Sequence, residues 1–245
     1  MTEERKTLIL TGASRGIGHA TVKRFSAAGW RVITCSRQPF PEDCPWEGGP
    51  DDHAVIDLAD SNSTRTGIEI LRERLAGGPL NALVNNAAIS PRSGSGQRLG
   101  SLETDITTWE SVFRVNFYAP VVLARGLINE LSQGSGSVVN VTSIAGGRVH
   151  PFAGTAYATS KAALAALTRE MAADFGPLGV RVNAIAPGEI RTSMIGPEYE
   201  SLVNQIPLNR LGTPEEVART IYYLCTDESA YVNGAEIHVN GGQHV

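Results

Sequence analysis

The stretch "TLILTGASRGIGHATVKRF" at residues 7–25 joins a short apolar run to a helical pattern through a glycine-rich turn. Gly12, Gly16 and Gly18 permit a tight turn and a close backbone approach. The helix that follows offers free N–H groups and the positive end of its dipole to a pyrophosphate. The spacing is GxxxGxG, not the GxGxxG of the commonest dinucleotide fingerprint. The strand–turn–helix context nevertheless favours a dinucleotide site over a glycine-rich turn without a ligand.

The same alternation of strand and helix continues along the 245 residues. Candidate strands read "TLIL", "RVITCS", "HAVID", "NALVNN", "SVVNVTS", "VRVNAIAP" and "AEIHVN", and helical patterns separate most of them. This order predicts βαβ units and a parallel sheet covered on both faces. The segment 39–50, "PFPEDCPWEGGP", is the exception, because its prolines and glycines predict a loop. We expect a single domain over residues 1–245.

The bulk composition argues against several classes of partner. A net charge of -4 and the lack of a basic segment disfavour binding to nucleic acid or to an anionic membrane surface. No stretch reaches the roughly 18 apolar residues of a membrane span, and the start "MTEERKT" is charged, so a cytoplasmic location is predicted. Cys35, Cys44 and Cys225 are predicted to be reduced thiols, and the histidine spacing predicts no catalytic metal.

The end of the second strand bears on the choice of dinucleotide. An NAD site commonly places a carboxylate there for the ribose 2'-hydroxyl, whereas this sequence reads Cys35, Ser36, Arg37. Arg37 and Arg15 of the glycine turn offer two guanidinium groups to a 2'-phosphate. This pattern favours NADP(H) over NAD(H); the alternative is that both arginines are solvated surface residues.

A second constellation lies in the middle of the chain. "TAYATSK" at 155–161 places Tyr157 and Lys161 one helical turn apart, either as a catalytic pair or simply on the wet face of a helix. Ser143 ends the strand "SVVNVTS" in competition with Thr142, since neighbouring strand residues point to opposite faces. Asn116 lies four positions before Pro120, which has no N–H to bond the Asn116 carbonyl.

Together these motifs resemble the short-chain dehydrogenase/reductase family over essentially the whole chain. The residues that carry the resemblance are TGASRGIG at 11–18, Asp57, NNAA at 85–88, Asn116, Ser143, Tyr157, Lys161 and APG at 186–188. The resemblance implies a Rossmann-like, doubly wound α/β fold with a seven-stranded parallel sheet. It further implies nicotinamide-dependent interconversion of an alcohol and a carbonyl, and usually a homotetramer, with a dimer as the alternative.

Carried onto this chain, the family pattern implies a catalytic group of Asn116, Ser143, Tyr157 and Lys161. Tyr157 is the expected general acid and base, and the Lys161 ammonium is expected to lower its pKa and to bind the nicotinamide ribose. Asp57 is expected to meet the adenine amino group and Asn85 to line the nucleotide channel. The cofactor residues predicted from the motifs are Gly12, Ser14, Arg15, Gly16, Ile17, Gly18, Ser36, Arg37, Asp57, Leu58, Asn85, Ala87, Tyr157, Lys161, Pro187, Gly188 and Ile190.

The substrate is expected to lie between the loops at about 90–101 and 188–210 and the stretch 144–156. Basic side chains in these segments suggest an acidic or phosphorylated carbonyl compound, unless they are simply solvated: Arg92, Arg98, Arg148, His150 and Arg191. The leading interpretation is an NADPH-dependent carbonyl reductase similar in layout to 3-oxoacyl thioester reductases, although bulky "RVHPF" at 148–152 narrows access for an acyl carrier arm. The alternatives are an NAD-dependent alcohol or polyol dehydrogenase and a non-catalytic dinucleotide sensor.

Overall fold

The computed structural model describes residues 5–40, 49–192 and 197–245. In these ranges seven strands form one parallel sheet in the order β3-β2-β1-β4-β5-β6-β7. The strands are β1 (Thr7–Thr11), β2 (Arg31–Ser36), β3 (His53–Val55), β4 (Ala82–Asn85), β5 (Ser137–Val141), β6 (Arg181–Pro187) and β7 (Glu236–Val239). The predicted doubly wound α/β fold is confirmed.

Helices cover both faces of this sheet. They are α1 (Gly16–Ser26), α2 (Ser61–Leu75), α3 (Ile106–Phe113), α4 (Ala119–Gly126), α5 (Ile128–Gln133), α6 (Thr155–Phe175) and α7 (Pro214–Cys225). A π-helical turn, Arg114–Tyr118, joins α3 to α4. Short 3-10 helices include Ile144–Gly146 after β5 and Pro197–Gln205 after β6.

Alternating strand residues supply two apolar layers, one on each face. Ile9 and Leu83 pack in one layer with residues of α2, α4 and α6, whereas Leu8 and Val84 pack in the other with residues of α1 and α7. Burial on both faces explains why the strands read as nearly continuous apolar runs. The glycine turn is thereby held rigidly between β1 and α1.

The strand order reverses at β1, which pairs with β2 on one side and β4 on the other. In open parallel sheets, ligands bind at such a reversal, outside the carboxyl ends of the strands. The connection from β2 to β3 passes through residues 39–50, of which 41–48 lie outside the described residues. Across the described ranges, no helix combines the length and apolar character needed to cross a membrane.

Candidate active site and nucleotide cleft

A cavity of about 450 Å³ opens at the carboxyl ends of the strands, around the reversal between β1 and β4. Its walls come from the glycine turn, the ends of β2 and β5, the start of α6 and the segment after β6. All predicted cofactor residues except Asn85 line it. Ser143, Tyr157 and Lys161 line the same cavity, so the two predicted constellations share one space.

The glycine turn is shaped for close approach by a ligand. Gly12 has φ 69, and a Cβ there would lie 2.8 Å from the Cα of Ala87. A Cβ on Gly18 would collide with the carbonyl oxygen of Gly12. Because α1 begins at Gly16, its first N–H groups face this cradle without intrahelical partners. The residues present therefore fit the pyrophosphate of a dinucleotide.

Asn86, and not Asn85 as predicted, lines the cavity. Asn85 donates from Nδ2 to Oδ1 of Asn140 at 2.8 Å, inside the sheet, and does not line the cavity. Asn86 lines it, and donates from Nδ2 to the carbonyl oxygens of Thr11 and Gly12 at 3.1 and 2.8 Å. The prediction for Asn85 was wrong because consecutive side chains at the end of β4 point in opposite directions.

The other end of the cavity carries the residues predicted to bind adenosine. Arg15 and Arg37 line its mouth with exposed side chains. Ser36 closes a turn, since its hydroxyl donates to the Gln38 carbonyl at 2.8 Å and accepts from the Gln38 N–H at 3.2 Å. Asp57 also lines the cavity, and its Oδ1 accepts from the Ala59 N–H at 2.9 Å.

Ser143, not Thr142, presents its hydroxyl to the site. Thr142 Oγ1 is hydrogen-bonded to the Ile185 carbonyl at 2.8 Å and to Glu236 Oε1 at 2.6 Å. The alternation of side chains along β5 then turns Ser143 toward Tyr157, with which it shares a hydrogen bond. This arrangement agrees with the choice of Ser143 that the family resemblance implied.

Lys161 is held in place from behind. Its Nζ donates to the carbonyl oxygen of Val141 at 2.6 Å and lies 5.7 Å from the centre of the Tyr157 ring. Its side chain is almost wholly buried. One rigid helix face therefore carries both groups into the cavity.

The electrostatics of this pair differ from the prediction. Burial lowers the pKa of Lys161 to about 7. Burial also raises the pKa of Tyr157, with further increases from Tyr199 and Glu189, while the hydrogen bond with Ser143 opposes the rise. The net pKa of Tyr157 is therefore raised, where a lowering by Lys161 was expected, because desolvation penalises the phenolate.

Asn116 lies in the π-helical turn and is wholly buried. Its Oδ1 accepts from the Ile89 N–H at 2.9 Å, and its Nδ2 donates to the Ile89 carbonyl and to Ser160 Oγ, both at 3.0 Å. The side chain therefore ties the loop after β4 to α6 and does not line the cavity. The helix is irregular here, since the Ala119 N–H bonds the Arg114 carbonyl five residues back and Pro120 has no N–H for Asn116.

Of the five basic residues predicted near the substrate, two line the cavity and three do not. Arg92 and His150 line the cavity. Arg98 donates from Nε to the Ala153 carbonyl at 2.9 Å, and Arg148 donates from Nη1 to the Gln243 carbonyl at 2.7 Å, so both fasten loops. Arg191 is exposed and outside the cavity lining.

Glu189, which none of the sequence motifs indicated, lines the cavity and acts electrostatically on Tyr157. Its Oε1 lies 2.6 Å from Nε2 of His150, and both side chains are buried. The acidic residue directly after "APG" was the available signal, but its partner lies 39 positions away in the sequence. Among the described residues, no group of three or more His, Cys, Asp or Glu side chains is arranged to hold a metal ion.

Comparison with known proteins gives the family. The family model described as enoyl-(acyl carrier protein) reductase matches residues 12–244. Protein FixR of Bradyrhizobium diazoefficiens is 61% identical over 244 residues, covering 99% of this chain and 88% of FixR. The chain belongs to the short-chain dehydrogenase/reductase family.

Other short-chain dehydrogenases/reductases are similar to this protein in sequence or structure along nearly the whole chain. The 3-oxoacyl-[acyl-carrier-protein] reductase FabG of Aquifex aeolicus is 32% identical over 253 residues, covering 97% of this chain and 96% of FabG. A solved short-chain dehydrogenase/reductase from Brucella ovis, in complex with a partially ordered NAD, is 62% identical, with a TM-score of 0.86 and coverage of 97% and 100%. The protein is therefore an oxidoreductase with a pyridine-nucleotide site.

Proposed function

We propose that this short-chain dehydrogenase/reductase reduces a carbonyl compound to a secondary alcohol with NADPH, and that Tyr157 is the general acid. The observation that carries the proposal is the shared cavity, in which Tyr157, Ser143 and Lys161 lie at the same sheet edge as the dinucleotide cradle. When bound, the reduced nicotinamide supplies a hydride to the carbonyl carbon. The residues of this chain then have to protonate the carbonyl oxygen and stabilise the negative charge that develops on it.

Tyr157 donates its phenolic proton to the carbonyl oxygen as the alcohol forms. Ser143 donates a hydrogen bond to that oxygen while negative charge develops on it. The raised pKa of Tyr157 supports this direction, because it keeps the acid protonated at neutral pH. Lys161, fixed by the Val141 carbonyl, stabilises the phenolate that remains until a proton from solvent replaces the one transferred.

The preference for NADPH is supported by Arg15 and Arg37 at the cavity mouth and by the lack of a carboxylate at the end of β2. An NAD-dependent alcohol or polyol dehydrogenase is the second candidate, and the NAD bound to the Brucella ovis relative favours it. Fluorescence titration with NADPH and NADH separates the two candidates without knowledge of the substrate.

A turnover screen tests the reaction itself. Ketones and 3-oxoacyl thioesters are offered with each reduced nucleotide, and nucleotide oxidation is followed for the wild-type protein and Tyr157→Phe. Turnover that disappears in the variant supports the proposal. Turnover that survives in Tyr157→Phe contradicts the assigned acid, and nucleotide binding without turnover of any carbonyl favours the sensor.

We also propose a homotetramer, which rests on the family resemblance, and size-exclusion chromatography with light scattering tests it.

The cytoplasmic location stays a prediction from sequence. The proposal gives Arg98 and Arg148 no part in substrate binding, since both guanidinium groups fasten loops.

A further inference from the structure

A buried pair of polar side chains lines the cavity, and one of the two acts electrostatically on Tyr157. Glu189 and His150 both line it, and their side chains are only 4% and 5% exposed. Glu189 directly follows the "APG" segment that the nucleotide cleft uses, and His150 follows the loop after Ser143. The pair therefore borders the space that a substrate carbonyl beside Tyr157 would occupy.

The hydrogen bonds around His150 assign its proton. Nδ1 accepts from the backbone N–H groups of Phe152 and Ala153, both at 3.1 Å. An imidazole nitrogen that accepts two N–H groups carries no proton, so the ring proton lies on Nε2 and is donated to Glu189 at 2.6 Å. His150 is thus a fixed donor to the Glu189 carboxylate.

The carboxylate is only partly satisfied by the protein. Gln243 adds a second donor, from Nε2 at 3.4 Å, but both bonds from the described residues end on Oε1. A buried charge is costly unless hydrogen bonds compensate it, and a carboxylate has about four acceptor positions. Oε2 therefore offers unused acceptor capacity in a cavity built to receive a ligand.

Arg92 and Tyr199 also line the cavity, and the Tyr199 ring packs against His150 and Phe152 to form an aromatic wall. Arg92 donates from Nη2 to the hydroxyl of Tyr199 at 2.9 Å, and the Tyr199 ring lies 4.7 Å from that of Phe152 and 6.0 Å from that of His150. Arg92 and Glu189 have opposite charges. A neutral molecule whose hydroxyl groups both donate and accept hydrogen bonds suits this lining better than an anion or a cation alone.

We propose that Glu189, held by His150, is a substrate-recognition residue that accepts hydrogen bonds from hydroxyl groups, and that the substrate is a polyhydroxylated carbonyl compound or the corresponding polyol. This inference rests on the proposed function and narrows its substrate class. The aromatic wall covers the carbon skeleton, while Tyr157 and Ser143 hold the reacting oxygen.

The test compares two four-carbon ketones that differ in hydroxyl groups, erythrulose and butanone, with NADPH and NADH. The wild-type protein is expected to prefer erythrulose in kcat/KM by about 10- to 100-fold, the range for a hydrogen bond to a charged group. Glu189→Leu should reduce that ratio at least about tenfold, and Glu189→Gln, which keeps an acceptor oxygen, should reduce it less. Glu170→Leu, at an exposed position of α6, is the matched control.

Nucleotide titration and thermal unfolding check that each variant is folded. If Glu189→Leu does not fold, the comparison is made with Glu189→Gln alone. Equal use of the two ketones by the wild-type protein, or an unchanged ratio in both Glu189 variants, overturns the proposal. A preference for aminoacetone over hydroxyacetone also overturns it, in favour of a cationic substrate.

If neither ketone is reduced, the proposed carbonyl reduction fails for these substrates. The role of Glu189 in recognising hydroxyl groups is then tested separately by ligand binding. Erythritol is titrated calorimetrically into the protein saturated with whichever reduced nucleotide it binds more tightly, with butane-1,4-diol as the control ligand. Erythritol binding that is lost in Glu189→Leu supports the recognition site. Binding that is missing, or unchanged in the variant, overturns it.

Discussion

Lys161 donates a 2.6 Å hydrogen bond to the backbone carbonyl of Val141, which connects helix α6 to the end of strand β5. The bond holds the lysine in a buried position beside Tyr157, 5.7 Å from its ring centre. A single backbone acceptor compensates the ammonium only in part, and burial accordingly lowers the pKa of Lys161 to about 7. The buried position of Lys161 beside Tyr157 is thus maintained at a cost in stability.

The cost should depend on pH with a defined sign. Between the folded pKa of about 7 and the ordinary value of 10.5, the unfolded chain binds a proton at Lys161 that the folded protein does not. The free energy of unfolding should therefore rise with pH across this window, by at most about 1.4 kcal/mol per pH unit, and the penalty is full below it. Urea unfolding of the wild-type protein and Lys161→Met between pH 7 and 10 measures the difference.

In that experiment the wild-type protein should gain stability relative to Lys161→Met as the pH rises. Lys23→Met, at an exposed position of α1, should follow the wild-type curve. Parallel curves for the wild-type protein and Lys161→Met would contradict the lowered pKa.

Tyr157→Phe should reduce kcat by about 100-fold or more, because it removes the proposed general acid while retaining the ring. NADPH binding, measured by fluorescence, should change little. Tyr231→Phe is the matched control, since Tyr231 is fully exposed. Loss of nucleotide binding in Tyr157→Phe would point to a structural defect instead of a lost proton donor.

Glu189→Gln should move the alkaline limb of the kcat/KM profile for reduction to lower pH. The negative charge of Glu189 contributes to the raised pKa of Tyr157, so its removal makes the phenolate easier to form and the acid is lost sooner. The profile is measured with the best substrate of the turnover screen, alongside Glu170→Gln at an exposed position. A limb that stays in place would mean that Glu189 does not act on Tyr157.

Gly18→Ala should abolish nucleotide binding, because the added methyl group would occupy the position of the Gly12 carbonyl oxygen. Overpacking of this kind also destabilises a protein by about 1–3 kcal/mol. Gly94→Ala is the control, since no atom lies within 4 Å of a Cβ there. Fluorescence titration and thermal unfolding of both variants test the expectation, which fails if Gly18→Ala binds NADPH normally.

Arg37→Ala should weaken NADPH binding by about 10- to 100-fold and leave NADH binding unchanged, since charge-assisted hydrogen bonds to the 2'-phosphate would be lost. Arg125→Ala, at an exposed position of α4, should bind both nucleotides like the wild-type protein. A wild-type preference for NADH would instead favour the NAD-dependent dehydrogenase.

The sequence by itself determined the fold and most of the nucleotide cleft. The glycine turn at 12–18, the strand-to-helix alternation and the Tyr157–Lys161 spacing are local patterns, and local backbone chemistry decides what each forms. Because parallel strands bring their carboxyl ends to one edge, the motifs that follow β1, β2 and β5 were expected to meet, and they do.

Only the tertiary structure decided which asparagine of the 85–86 pair faces the cavity. Asn86 lines it, while Asn85 donates to Asn140 within the sheet. For Ser143, which the family resemblance had selected, the structure adds that its hydroxyl is shared with Tyr157 while Thr142 Oγ1 bonds the Ile185 carbonyl. At the end of a strand, the choice depends on the partner strand, which a short segment does not encode.

The tertiary structure also created the pairing of His150 with Glu189 across 39 positions and the direction of the Tyr157 pKa shift. Both depend on burial, and burial is a property of the assembled core. A spacing of four residues predicts that Lys161 lies near Tyr157. The size and direction of the two pKa shifts, however, depend on how far burial excludes solvent from the two groups.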